Sequence, residues 1–192
     1  MDTAASGAEA LERFLAWEDK QDGRHEFDGR DIIPMTGETF AHQQIVINLC
    51  SVLIRLLAEH PFRVTHGMRL RTAVSVRHPD ALISAAPVDQ ATSTLVDAAA
   101  LFEVLSPETD AADRVQKLQE YATVPSLRCY VLLEQKAPGA LVFARHPGAP
   151  WVPRVYRSGD IPLPGLDLTL PLAELYRGLR FEEAGTARAG GD

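Results

Sequence analysis

The stretch LFEVLSPET, from Leu101 to Thr109, constrains the fold of this chain more than any other part of it. Its apolar residues read as an interior β-strand, yet a single acid, Glu103, sits in the middle. A carboxylate in such a place is costly unless something pairs with it or binds it. The next segment, 106–124, has the pattern of a helix. Ser106 or Thr109 can cap it, Pro107 suits its first turn, and Glu108, Asp110 and Asp113 lie near its positive end. Val115, Leu118 and Ala122 supply its apolar contact, and Pro125 closes it. LRCYVLLE, at 127–134, is then a continuous buried strand of the kind found in the middle of a sheet. A helix between two strands implies a crossover and at least one parallel pair, so the class is α/β with a mixed sheet.

The flanking segments extend this frame. Leu11, Phe14 and Leu15 recur at helical spacing within 8–20. Two strand-like runs within 24–35 are joined by Asp28-Gly29, a strong hairpin signal. A long helix follows over about 38–59, with His42, Ile45, Leu49, Val52, Leu53 and Leu56 along one stripe. His42 therefore heads the face that packs inward. Strand-like runs at 62–67, 68–74 and 78–85 are punctuated by Gly67 and Pro79, and a looser segment, 87–98, leads into Leu101–Thr109. Strands at 140–146 and 151–157, a Pro-rich edge segment at 160–170 and a short helix at 171–179 complete the chain, before a tail at 182–192 expected to be disordered. No internal repeat or long linker divides the 192 residues, so one domain with a core over about 8–180 is expected.

Composition excludes several classes. Hydrophobic residues are 46% and charged residues 23%, ordinary for a soluble protein. A formal net charge of −7 argues against nonspecific coating of nucleic acid, although it leaves room for a local basic groove. Cys50 and Cys129 are the only cysteines, with no metal-binding spacing, and read as reduced thiols of a cytoplasmic protein. The first residues carry no secretory signal pattern, and the most apolar helix is interrupted by Asn48 and Arg55.

Three acids fall inside apolar or strand-like segments: Glu26, Asp80 and Glu103. If the strands of Asp80 and Glu103 are neighbours, their carboxylates converge and repel unless a divalent cation neutralises them. Hard oxygen ligands without a nearby cysteine favour Mg²⁺ or Mn²⁺. On the following helix Asp113, Lys117 and Tyr121 lie at i, i+4 and i+8, along one stripe. A lysine facing the sheet from there could position water or stabilise a transition state. Each residue also has a plainer reading. Glu103 and Lys117 could form a purely structural buried pair, Lys117 could be a solvated partner of Asp113, and Asp80 could cap a turn after Pro79. Glu26 could lie on the outer face of a hairpin, His42 could be a satisfied core histidine, and Ser106 is better placed as a cap than as a nucleophile. Between His60 and Pro79 the chain carries Arg63, Arg69, Arg71 and Arg77, three histidines and no acid. That excess is either a solvated sheet edge or a strip that contacts phosphates.

The segments RHEFDG, AHQQIVINL, VRHPDALI, FEVLSPETDAADRVQKLQEY and CYVLLE together resemble the Uma-two family of restriction endonucleases, within the PD-(D/E)xK nuclease superfamily. The resemblance implies a restriction-endonuclease-like fold: a central mixed β-sheet flanked by helices, with an N-terminal helix and hairpin and extra C-terminal strands. It implies Mg²⁺- or Mn²⁺-dependent hydrolysis of phosphodiester bonds, DNA as substrate and a homodimer. The acidic pair falls on Asp80 and Glu103. The lysine that many relatives carry two residues after the second acid is here Leu105, and its role lands on Lys117. Glu26 matches the family's N-terminal glutamate, as a third metal ligand, and His42 its helix histidine. The competing expectation is a non-catalytic scaffold that keeps the fold and a structural Glu103–Lys117 pair.

Overall fold

The computed structural model describes residues 3–106 and 111–181. The expected tail, and the helix-start positions Pro107, Glu108, Thr109 and Asp110, lie outside the described residues.

The strand–helix–strand unit forms as its pattern predicts, except that Val115, expected among the helix's apolar contacts, is 56% exposed. Strand β8 (Ala100–Val104) is followed by helix α3 (Ala111–Ala122) and strand β9 (Cys129–Leu133), and the two strands pair in parallel with Glu103 beside Leu132. They lie at the centre of a six-stranded sheet ordered β11-β10-β9-β8-β6-β3. Here β3 is Val64–His66, β6 Ala81–Ile83, β10 Ala140–Ala144 and β11 Val152–Tyr156, and every other neighbouring pair is antiparallel. The period of two divides the strands between two cores. Ala100, Phe102 and Val104 join Val131 and Leu133 against helix α2 (Phe40–Leu56). Leu101 joins Tyr130 and Leu132 on the opposite face, with Tyr121 of α3.

Helix α2 is shorter than the expected 38–59, because Thr39 caps it: the Thr39 hydroxyl accepts the His42 N–H at 3.2 Å. Its buried stripe is Ile45, Val46, Leu49, Val52 and Leu53. Asn48 is buried on this helix as well. Its amide donates to the carbonyls of Leu175 (3.0 Å) and Arg177 (2.9 Å), tying α2 to the short helix α4 (Leu172–Leu175).

The expected single central sheet is joined by two others. The runs between Phe62 and Ser84 do not form one meander: β3 and β6 pair with each other, while β4 (Arg69–Arg71) and β5 (Val76–Arg77) swing out between them. They build a five-stranded sheet ordered β2-β1-β5-β4-β7. In it β1 (His25–Phe27) and β2 (Ile32–Pro34) are the predicted hairpin, and β7 (Thr94–Leu95) comes from the looser segment, where no strand was expected. Gly29 in the hairpin turn has φ +93°, and a Cβ there would meet the Val74 carbonyl oxygen at 2.8 Å, so both conformation and space demand glycine. Helix α1 (Thr3–Glu18) covers this sheet with Leu11 and Phe14 against Phe27 and Val76. The Pro-rich segment, expected as an edge, folds as its own hairpin of β12 (Asp160–Leu163) and β13 (Leu168–Pro171), which closes the α2 side of the core. None of the described helices is long and apolar enough to cross a membrane.

Replacing Asn48 by alanine leaves two carbonyls at the α4 end without their donor. Urea unfolding should show a loss of about 2 kcal/mol with an unchanged m-value.

Candidate active site

Asp80 and Glu103 are brought together by sheet register. Strand β6 pairs antiparallel with β8 with Ala81 opposite Phe102, so one further step places Asp80 opposite Glu103. Directly opposed residues of an antiparallel pair project on the same side, with Cβ atoms about 5 Å apart. Pro79 restricts the backbone just before Asp80. Asp80 Oδ2 accepts the Val104 N–H at 2.7 Å, while its Oδ1 makes no hydrogen bond among the described residues.

Glu103 is clamped by α3. Its Oε2 accepts from Lys117 Nζ at 2.8 Å and its Oε1 from the Tyr121 hydroxyl at 2.6 Å. Asp113, on the same stripe, has a carboxylate oxygen 3.9 Å from Lys117 Nζ. Burial pushes the Glu103 carboxyl up; Lys117 opposes this, while the negative charge of Glu26 adds to it. Burial alone would lower the Lys117 ammonium, but Glu103, Glu26 and Asp113 outweigh it and hold Lys117 above its ordinary value. The surrounding carboxylates thus favour the charged form of Lys117.

His42 approaches the same acids from the first turn of α2. Its Nε2 lies 3.1 Å from Asp80 Oδ2 and 3.5 Å from Glu38 Oε2, and its buried Nδ1 has no hydrogen-bond partner among the described residues. Burial lowers its basicity, but the hydrogen bond and charge of Asp80, with Glu38, raise it on balance.

Glu26 lines the cavity but is already engaged. Its Oε1 accepts the His78 N–H at 2.9 Å and its Oε2 accepts from Arg77 at 2.9 Å, with Lys117 Nζ at 4.0 Å. Burial favours its neutral form, yet Lys117, Arg77 and the His78 N–H together hold the carboxyl below its ordinary value. This placement makes Glu26 an anchor for two cations and leaves it no oxygen without a donor.

The four arginines between His60 and Pro79, read as either a solvated sheet edge or a phosphate-contacting strip, are dispersed. Arg77 is 1% exposed, with a two-pronged bond to Glu120 (2.7 and 2.7 Å) as well as its bond to Glu26. It is an interior structural cation, out of reach of nucleic acid, because β5 turns its side chain between α3 and the hairpin. Arg69 pairs with Glu18 and Asp19, and Arg71 with Glu12. Arg63 bonds the carbonyls of His60 and Phe62 at the surface. Sequence reasoning missed Glu120, Gln116 and Glu18. Gln116 bridges Glu120 and Asp28, while Glu18 bonds His78 Nε2 at 2.9 Å. Arg77 lies between the strand-like runs read at 68–74 and 78–85, so spacing gave no signal that it is buried.

Asp80, Glu103, Lys117, His42, Glu26 and Asp113 line one polar cavity of about 230 Å³. Among the described residues, the cavity and the contacts behind it hold six carboxylates (Asp80, Glu103, Glu26, Glu38, Asp113 and Glu120) against the cations Arg77 and Lys117, an excess that suits a divalent cation. Among the described residues, no group of three or more His, Cys, Asp or Glu side chains is arranged as a ready metal cage. Mg²⁺ keeps several waters and is commonly held by one or two carboxylates, so an Asp80–Glu103 pair with a spare Asp80 oxygen fits it, whereas zinc chemistry does not.

Comparison with known proteins identifies the family and the fold. A family model described as "Uma2: Putative restriction endonuclease" matches residues 11–173. An uncharacterized protein of Synechocystis sp. (slr1290) is 26% identical over 175 residues, covering 88% of this chain and 92% of that protein. A second uncharacterized Synechocystis protein (sll1609) is 28% identical over 128 residues, covering 64% of this chain and 72% of that protein. A crystal structure described as a putative nuclease belonging to DUF820 from Anabaena variabilis superposes with a TM-score of 0.72. It is 16% identical, covering 86% of this chain and 96% of that one, and it shows the shared fold.

Arg77→Met would strand Glu26 and Glu120 as buried charges, and urea unfolding should show a loss of roughly 3–5 kcal/mol. Because the Glu26 carboxyl is depressed in the folded state, its contribution is complete at neutral pH and is lost as pH falls through that lowered value. Glu26→Gln should be less stable than wild type at pH 7, and the gap between them should narrow in acid.

Proposed function

This chain belongs to the Uma2 family, and from that premise we propose that it is a metal-dependent endonuclease hydrolysing phosphodiester bonds in DNA. The observation that carries the reading is the cross-strand Asp80–Glu103 pair, with cationic Lys117 in the same polar, acid-rich cavity. Asp80 and Glu103 would hold Mg²⁺ or Mn²⁺, which supplies Lewis-acid stabilisation of a phosphoryl oxygen and an acidified water when bound.

The protein's own residues would divide the remaining work. Lys117, favoured in its charged form, would stabilise the negative charge that develops as water attacks, and would orient that water. Tyr121 holds one Glu103 oxygen, so the carboxylate keeps its direction if Lys117 turns toward substrate. Glu26, fixed by Arg77 and the His78 N–H, keeps a second negative charge near Lys117. His42 Nε2 would hold the Asp80 carboxylate at Oδ2, the oxygen that also accepts the Val104 N–H. A homodimer would present two such sites to the two strands of a duplex, which sedimentation at several concentrations would show.

The alternative, a non-catalytic protein that keeps the fold, is favoured by the direct 2.8 Å Glu103–Lys117 contact, which satisfies Glu103 without metal. Thermal unfolding with and without Mn²⁺ separates the two, since selective binding to the folded state raises the melting temperature. Wild type should be stabilised by Mn²⁺ and Asp80→Ala should not. Cleavage of plasmid or oligonucleotide DNA should fall by on the order of a hundredfold or more in both Asp80→Ala and Lys117→Ala. No Mn²⁺ shift together with no cleavage of any DNA form would leave the scaffold reading in place.

A further inference from the structure

We propose that the cleft at the carboxyl ends of β8 and β9 binds a phosphate that neighbours the scissile one on the same nucleic-acid strand. This rests on the nuclease reading and extends it to substrate positioning. The cleft has a volume of about 290 Å³ and is lined by Leu105, Ser106, Arg114, Glu134, Gln135 and Lys136. It begins where the parallel pair ends: Val104 is opposite Leu133, and the Leu105 N–H donates to the Leu133 carbonyl at 2.8 Å. Crevices outside the carboxyl ends of strands are the usual ligand positions of α/β sheets. Ser106 lines both this cleft and the acidic cavity, so the two are contiguous.

The donors in the cleft call for an anion. Among the described residues, the buried Gln135 Nε2 has no hydrogen-bond partner, and turning this amide toward the cleft would let it donate to a ligand oxygen. Lys136 is exposed, and among the described residues it makes no ion pair, unlike Arg69 and Arg71. Arg114 adds a further positive charge. Among the described lining residues the one acid, Glu134, is bonded by Arg157. A single uncommitted ammonium beside an orphan amide donor matches a monoanionic phosphodiester oxygen pair.

Spacing supports the same occupant. Going from Asp80 before β6, across Glu103 on β8, to Lys136 after β9 crosses two strand intervals of about 4.8 Å each. Counted across the strands alone this is about 10 Å, so a phosphate at Gln135 and Lys136 would be a near neighbour of the scissile one along the same strand. A strand with its scissile phosphate at the acidic pair would thus carry a flanking phosphate to Gln135 and Lys136.

The test is equilibrium binding of a short fluorescent single-stranded DNA to the full chain, in chelator so that no cleavage occurs, over a range of salt concentrations. Lys136→Ala should weaken binding on the order of fivefold at low salt and flatten the log–log salt slope by about 0.7, the loss of one phosphate contact. Lys136→Arg should restore both. Gln135→Ala removes a neutral donor, so it should weaken binding while leaving the salt slope at the wild-type value. Melting temperatures and the Mn²⁺ shift should match wild type in all three variants. Wild-type binding that neither Lys136→Ala nor Gln135→Ala alters overturns the subsite and leaves the nuclease reading standing. A wild-type chain that binds no DNA and cleaves none overturns both.

Discussion

The clamp of Lys117 and Tyr121 on Glu103 is the interaction around which the rest of the molecule is arranged. A carboxylate in the central strand of a sheet loses most of its hydration, and only donors placed within hydrogen-bond distance offset that loss. The crossover helix supplies two of them, four residues apart, so α3 must lie over the sheet in one rotational setting. The same setting turns Tyr121 onto Tyr130 of β9, ring centroids 5.0 Å apart, and so joins the polar clamp to the apolar core beneath it. Packing and polar satisfaction select the same helix orientation.

A second buried cation extends this arrangement to the N-terminal part of the chain. Arg77 bonds Glu120 of α3 and Glu26 of the hairpin, while His78 bonds Glu18 of α1. The five-stranded sheet is therefore fastened to the crossover helix by charge as well as by apolar contact. Glu26 lies between the two cations, bonded to Arg77 and close to Lys117. The charge balance of the cavity is consequently a property of both sheets together. Mutations far from Asp80 along this chain of contacts should be read as changes in that balance before they are read as changes in packing.

An ion-pair reading and a metal reading of Glu103 use the same atoms. The geometry accommodates both because Tyr121 holds one oxygen independently of Lys117. The distinguishing feature is Asp80, which the register places opposite Glu103 and which a purely structural pair would not need. Its Oδ1 takes part in no hydrogen bond among the described residues, whereas both Glu26 oxygens are engaged. Under the proposed metal-dependent reading, that asymmetry leaves Asp80 with an oxygen to offer a metal while Glu26 first anchors its two donors.

Much of this was legible in the sequence, because periodicity is a local property. The strand–helix–strand unit, the position of Glu103 on an interior strand and the shared stripe of Asp113, Lys117 and Tyr121 all follow from spacing within about twenty residues. The α/β class follows from the same stretch. Register and long-range charge pairing are different in kind, since they depend on residues forty to sixty positions apart meeting in space. Only the tertiary structure decided that β4 and β5 leave the central sheet, that Arg77 is interior while Arg63 stays at the surface, and that Glu120 and Glu18 complete the buried network. An arginine in a strand looks the same in sequence whether it faces water or two carboxylates. The desolvation cost that distinguishes those cases arises only when the chain closes around it.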